Sequence, residues 1–184
     1  IWQRNPGGWY IKICRGGICS GSSNISWVRS GPHPAWPSFM DTYSVYPSNT
    51  ATLEGVNHNA NWIATCPSAG TYTLECRADN YAAFTWDGTS LGSIGQNTAP
   101  FNASFSSSTT YNITGVTVGD HTLGVTVLNG TGNTDWATNP GGVAFVLRDA
   151  SNNVIMTSLD LDNAGNGNLI WHTRMAIGYD YETT

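Results

Sequence analysis

Gly70-Thr71-Tyr72-Thr73-Leu74-Glu75-Cys76-Arg77-Ala78-Asp79-Asn80, continued by Tyr81-Ala82-Ala83-Phe84-Thr85-Trp86-Asp87-Gly88-Thr89-Ser90-Leu91-Gly92-Ser93-Ile94, decides the fold class. Tyr72, Leu74 and Cys76 fall on one side of an extended chain, and Thr71, Thr73, Glu75 and Arg77 on the other. That alternation is the period of a half-buried strand. Asp79-Asn80 is predicted to turn the chain into a strand over Tyr81–Trp86, and Asp87-Gly88 supplies a tight hairpin turn into Ser90–Ile94. Upstream, Asn61–Thr65 is predicted as a strand and Pro67–Gly70 as the turn that follows. The whole reads as a meander with turn signals about every ten residues, the spacing of antiparallel sandwiches and jelly rolls.

The same signals continue outward. Downstream, the Ser/Thr stretch Ser104–Thr110 leads to a strand over Tyr111–Val116, and Gly119-Asp120 turns into the long strand His121–Leu128. A fourteen-residue loop, Asn129–Gly142, precedes the nearly continuous apolar run Val143–Leu147, which fits a central strand. Asp149–Asn153 is predicted as a turn into Val154–Leu159, and Leu169–Arg174 as a last strand before an acidic tail. Upstream, Pro32, Pro34 and Pro37 exclude residues 31–37 from a central strand and leave a surface loop leading into Phe39–Tyr46. Trp9–Cys14 reads as a strand turned back by Gly16-Gly17 toward Cys19. No segment carries a sustained helical period. The expectation is an all-β antiparallel sandwich or jelly roll of nine to eleven strands over 36–184. Residues 1–35 form a Gly/Cys-rich hairpin segment, a candidate assembly arm.

Composition narrows the function. Only 10% of the 184 residues are charged, and Lys12 is the only lysine. Ser, Thr, Asn and Gly take the place of ions. With six scattered arginines and a net charge of −5, no cationic patch suited to a phosphate backbone is visible. Nucleic acid is therefore not an expected partner. No apolar run approaches the ~20 residues of a membrane-spanning helix, so no membrane insertion is expected. The sequence opens at Ile1 rather than Met, the mark of a processed product or of a fragment of a longer chain. Four Asn-x-Ser/Thr triplets begin at Asn24, Asn102, Asn112 and Asn129, but a chain this rich in Asn, Ser and Thr produces about that many by chance.

Cys14, Cys19, Cys66 and Cys76 permit three pairings. The simplest closes Cys14 to Cys19 around a Gly-Gly turn and Cys66 to Cys76 across the next hairpin. Free thiols are the alternative. A zinc site is disfavoured because the chain has no CxxC pair.

Trp36-Pro37-Ser38-Phe39-Met40-Asp41-Thr42-Tyr43-Ser44-Val45-Tyr46 and the Gly70–Gly92 region keep company with Gly119-Asp120-His121-Thr122-Leu123 and Asn139-Pro140-Gly141-Gly142-Val143-Ala144-Phe145. Over residues 36 to 174 the chain resembles the galactose-binding-like jelly-roll domains of bacteriophage tail, fibre and other appendage proteins. Similar patterns occur in secreted carbohydrate-binding modules. The resemblance implies a virion-surface or adhesive role with glycan recognition, and it supplies no sugar site residue by residue.

Candidate chemistry is sparse. A glycoside-cleaving pair needs two facing carboxylates; Asp79 and Asp87 bracket one strand, and both stand at turn positions. His33, His58, His121 and His172 accompany no serine or cysteine nucleophile motif, and His121 and His172 fit ordinary strand positions. Asp160, Asp162 and Asn163, with Asn166 and Asn168, offer hard oxygen ligands for calcium, against the plainer reading of an Asn/Gly turn. Sugar recognition stacks a ring on an aromatic face while amides and carboxylates hold the hydroxyls. Trp136 is the leading candidate ring, beside Asp135 and near Asn129, Asn133 and Asn139, with loop packing as its alternative role. Trp36 comes second. Trp62 and Trp86 lie within strands and are expected in the core. The sequence therefore points to a non-enzymatic structural or adhesive subunit of an extracellular or virion assembly. It would act through self-association or contacts with other subunits, with a surface glycan as a further partner. A secreted carbohydrate-binding module, calcium-stabilised, is the alternative.

Overall fold

The structure, a computed structural model, describes residues 2–5, 8–11, 27–30, 32–47, 55–99, 101, 104–131 and 138–160. Among the described residues, twelve strands and one short helix follow one another: β1 (Trp2–Asn5), β2 (Gly8–Ile11), β3 (Trp27–Arg29), α1 (Ser38–Tyr43), β4 (Val45–Pro47), β5 (His58–Cys66), β6 (Gly70–Asp79), β7 (Tyr81–Trp86), β8 (Thr89–Ile94), β9 (Ser104–Val116), β10 (Gly119–Leu128), β11 (Gly142–Arg148) and β12 (Val154–Thr157). Every pairing among these strands is antiparallel.

Two sheets form the sandwich. One has the order β5-β10-β7-β8; the other runs β3-β4-β11-β6-β9, with β12 also paired to β11. The pairs β4–β11, β5–β10, β6–β9 and β7–β8 nest inside one another. This is a long antiparallel ribbon folded over so that successive pairs fall in opposite sheets, the jelly-roll pattern. Its tip is the Asp87-Gly88 turn, where φ is 47° and 79°. Two consecutive positive φ values are what a two-residue hairpin with the right twist requires, and Asp-Gly supplies them at low cost.

The predicted alternation is met by burial. Tyr72, Leu74 and Cys76 are at most 1% exposed, and β5 alternates between buried and exposed over its whole length. Trp62 and Trp86 lie in the core. Trp62 makes edge-on contacts with Trp27 and Phe145, at centroid separations of 5.5 and 5.1 Å. Each such large side chain, taken out of water, stabilises the fold by about 1.5–3 kcal/mol before its entropy cost. Strand β11 is apolar on both faces because both are covered. Val143, Phe145 and Leu147 belong to the core between the sheets, and Ala144 packs with Trp36 and Met40.

Four expectations are corrected. Pro67–Gly70 is no hairpin turn: β5 and β6 belong to different sheets, so the connection crosses the sandwich, and the meander is a jelly roll. The Cys66–Cys76 bridge falls with it. Both thiols are free and buried. Cys66 ends β5 opposite Gly119, whereas Cys76 lies six residues, about 20 Å, along β6, opposite Phe145. A disulfide needs Cα atoms within about 7 Å. Cys76 instead donates to the Thr109 carbonyl at 3.3 Å. Cys14 and Cys19 lie outside the described residues. Third, the segment after Pro37 begins as helix α1. The Asp41 N–H bonds the Pro37 carbonyl at 3.1 Å, and Phe39 and Tyr43, four residues apart, pack ring to ring at 5.3 Å. Six residues are too few for a visible helical period. Fourth, the Ser/Thr stretch 104–110 is part of the thirteen-residue β9. Pairing with β6 holds it there, along with Arg77 side-chain bonds to Ser108 Oγ and to the carbonyls of Phe105 and Ser106.

The predicted strand Trp9–Cys14 is seen as far as Ile11, paired with Trp2–Asn5 in a two-stranded sheet of its own. From the N-terminal segment, β3 pairs with β4, and Trp27 enters the core. The predicted strand at Leu169–Arg174 lies outside the described residues. No helix among the described residues is long and apolar enough to cross a membrane.

Candidate functional site

One end of the sandwich gathers three of the residues that the sequence singled out for binding, Asn129, Asn139 and Trp36. There β6 passes to β7 through Asp79-Asn80, β10 gives way to Asn129-Gly130, and β11 begins at Gly142. The Asp79–Asn80 peptide is cis. Asp79 is 4% exposed, and its Oδ2 accepts the Trp36 indole N–H at 2.9 Å. Asn80 Oδ1 accepts the Gly130 N–H at 2.6 Å. The Tyr46 hydroxyl accepts the Asn129 N–H at 3.1 Å, and the Asn129 carbonyl accepts from Gly55 at 2.9 Å.

Two amides then close the base of the long loop. Asn129 Nδ2 donates to the Asn139 carbonyl at 3.1 Å, and Asn139 Nδ2 donates to the Gly130 carbonyl at 3.0 Å. Such side-chain-to-backbone bonds let Asn stand in for a strand pair where the ladder has ended. Of the predicted ligand residues, the fold therefore brings Asn129, Asn139 and Trp36 to one place. Asp135, Trp136 and Asn133 lie between the clamped ends, outside the described residues. Trp36 is 5% exposed, with its ring beside Met40 and Ala144 and its N–H on Asp79. Its indole works as an internal prop. Asn129 Oδ1 is buried and accepts no hydrogen bond from the described residues.

Burial pushes the Asp79 carboxyl up to about 6, with the Trp36 N–H and the His33 charge working against that rise. His33 sits 5.8 Å from the Trp36 ring, and its backbone N–H donates to Asp41 Oδ1 at 3.0 Å. A buried carboxyl titrating near neutrality is a common mark of acid–base catalysis. Here its expected partner is remote, because Asp87 lies eight residues away at the far end of β7, about 25 Å of extended chain. Carboxyls of a glycoside-cleaving pair stand about 5–10 Å apart. Asp79 and Asp87 cannot act as such a pair.

At the calcium candidate, Asp160 is exposed, and its Oδ2 accepts from the Thr157 N–H at 2.6 Å and the Thr157 hydroxyl at 3.2 Å. Asp162 and Asn163 lie outside the described residues. No group of three or more His, Cys, Asp or Glu among the described residues is placed to hold a metal.

The opposite end holds a constellation that the sequence did not reveal. His121 Nδ1 lies 2.7 Å from Asp87 Oδ2, and Asp87 Oδ1 accepts the Thr122 N–H at 2.8 Å. His121 Nε2 lies 3.0 Å from the Thr117 carbonyl oxygen and 3.3 Å from Thr117 Oγ1. The ring stacks on Trp86 at 5.2 Å and 19°. A carboxylate, an imidazole and a hydroxyl in a row resemble a hydrolytic relay, but the closer oxygen at Nε2 is a carbonyl, which only accepts. That favours a ring protonated at both nitrogens over a free base. The bonds to Asp87 and to Thr117 raise the His121 pKa against the opposing effect of burial. For Asp87, partial burial pushes upward, but the bonds from His121 and Thr122 outweigh it and hold the carboxyl below its ordinary value. Strand position alone had made His121 ordinary; the available signal was Gly-Asp-His directly after a turn.

No protein-family model matches the sequence, and no curated protein matches it. Among solved structures, the chain is similar to part of an α-L-rhamnosidase from Streptomyces avermitilis, crystallised with L-rhamnose. The TM-score is 0.51 and the identity 21% over 73% of this chain, which spans 13% of that protein. At that identity the likeness shows a shared fold alone: this chain is a β-sandwich of a kind also built into a carbohydrate-active enzyme.

Proposed function

We propose that the chain is a non-enzymatic, exterior binding module that recognises carbohydrate through the loop 129–142. The observation that carries this reading is the clamped stem. The Asn129 amide holds the Asn139 carbonyl, the Asn139 amide holds the Gly130 carbonyl, and Asn80 and Tyr46 fix the Asn129-Gly130 stem to the rigid sandwich. A loop anchored so firmly at its base can present Asp135 and Trp136 at small entropic cost. The surface chemistry agrees, since a chain rich in hydroxyls and amides and poor in ions suits a neutral, hydroxyl-rich ligand. The sandwich shared with part of a rhamnosidase supports the same ligand class.

Thermal unfolding with a panel of neutral sugars, L-rhamnose and galactose included, tests the proposal. Ligand at about 100 times its Kd stabilises the native state by ~2.7 kcal/mol. For a chain of this size that is roughly 5–10 °C in Tm. Trp136→Ala should abolish the gain. No response to any sugar would remove the proposal, and a full response in the variant would remove Trp136 from the site. Release of reducing sugar from a polysaccharide would overturn its non-enzymatic part.

A second reading is a structural or adhesive subunit of an extracellular or virion assembly, such as a phage appendage. It is favoured by the hairpin Trp2–Asn5/Gly8–Ile11, which forms a sheet of its own. Two-stranded hairpins are marginal alone and gain stability by joining a neighbour. Light scattering over a wide concentration range should then find a defined oligomer; a monomer throughout would discard self-assembly.

A further inference from the structure

We propose that His121 is a proton-operated latch that ties the tip of the folded ribbon to the connection between the two sheets. The ring belongs to β10 and reaches two separate turns. Through Nδ1 it meets Asp87, in the β7–β8 hairpin turn, at 2.7 Å. Through Nε2 it meets the carbonyl oxygen of Thr117, in the β9–β10 connection, at 3.0 Å. Both partners are acceptors, so the two bonds coexist only when each nitrogen carries a proton. The imidazolium also lies flat on Trp86, which favours a cation over its π face.

Loss of one proton breaks this arrangement in a defined order. The Asp87 carboxylate keeps the proton on Nδ1, so Nε2 becomes a lone pair facing the Thr117 carbonyl at 3.0 Å. Two acceptors at that distance repel. The Thr117 hydroxyl, already 3.3 Å from Nε2, is the donor at hand, so the neutral ring exchanges the shorter bond to the carbonyl for a longer one to the hydroxyl and the connection is held less tightly. Val118 stands at the head of that connection and is 66% exposed, so little packing opposes the loosening. The turn is thus held firmly in the acid form and loosened in the neutral one.

The charged surroundings act in the same direction. The Asp87 and Asp120 carboxylates both favour the cation. Asp120 is fixed by the Thr65 hydroxyl at 2.7 Å. Cys66, opposite Gly119 across the sheet, is kept a neutral thiol, because burial raises its pKa beyond the lowering by its bond with Tyr72. The His121 side chain is 11% exposed and its partner Asp87 48%, so solvent reaches the pair from the carboxylate side.

The test is a pH titration of the intact chain between pH 5 and 9 by ¹H–¹⁵N spectra of the histidine rings, with Trp86 fluorescence in parallel. We expect His121 to titrate above the ordinary value of 6.5. Its neutral form should be the Nδ1–H tautomer, and fluorescence, quenched by the stacked cation, should rise at the same midpoint. Trp86→Phe should remove that optical change. The Val118 and Gly119 amides should lose about fivefold to tenfold in exchange protection, beyond the intrinsic pH effect, as the ring deprotonates. Asp87→Asn should lower the midpoint, and His121→Gln, which keeps one donor and one acceptor, should make protection independent of pH. A midpoint at or below 6.5, an Nε2–H tautomer, or protection unchanged across the titration would each overturn the latch.

Discussion

Replacing Asp79 with asparagine isolates the cost of ionising a buried carboxyl at the candidate site. Asp79 is 4% exposed and titrates at about 6 in the fold, against 3.8 when unperturbed. The folded state therefore holds this proton more tightly than the unfolded chain. The sign follows from linkage: stability from this group is fully present below pH 3.8 and is lost as pH rises through about 6. At ~1.4 kcal/mol for each pH unit, the loss is roughly 3 kcal/mol. The side-chain amide of the Asp79→Asn variant keeps an oxygen to accept the Trp36 indole N–H, 2.9 Å away in the parent, and does not ionise in this range. Urea unfolding of both chains at half-unit steps from pH 3.5 to 7.5 gives the difference directly, since other groups titrate in both. The variant should gain on the parent by roughly 3 kcal/mol between the two ends. His33 faces the same carboxyl and its charge works against the rise, so His33→Gln should move the parent's transition to higher pH. A parent–variant difference that stays constant across the range would refute the reasoning, because Asp79 would then ionise as freely in the fold as outside it.

Trp36→Phe keeps much of the packing against Met40 and Ala144 but removes the N–H that bonds Asp79 Oδ2. It should cost about 1–3 kcal/mol in urea unfolding at pH 7 and move the Asp79 transition above about 6. Gly142→Ala would place a methyl against Ser44 Oγ and 2.7 Å from the Trp36 ring, so unfolding should show a loss of about 1–3 kcal/mol. At pH 8 the native chain should leave Cys66 and Cys76 unmodified by a thiol reagent, and both should react once urea unfolds it. Rapid labelling of Cys76 in the native state would contradict its burial.

How far the residues could be read follows from the range of each interaction. The β class, the burial of Tyr72, Leu74 and Cys76, and the Asp87-Gly88 turn were legible because each depends on neighbours within a few positions: the pleat has a period of two, and the turn needs positive φ at two adjacent residues. Even the central place of Val143–Leu147 was visible, since a strand covered on both faces has no polar side to show. Helix α1 was missed because six residues leave no period to detect. Asn129, Asn139 and Trp36 could be named as candidates from residue type, but not as neighbours of Asp79 and Asn80.

Tertiary structure decided the rest, for one physical reason. Which sheet a strand joins is set by the global wrapping of the ribbon, and residues 67–70 read alike as a hairpin turn or a crossing. That choice separated Cys66 from Cys76 and left two buried thiols in place of a bridge. It joined Trp36 to Asp79, 43 positions apart, and His121 to Asp87, 34 positions apart. Local propensity specified the strands and their buried faces; only closure of the sandwich fixed which polar groups meet, and so where burial raises the pKa of a carboxyl and where a histidine faces two acceptors.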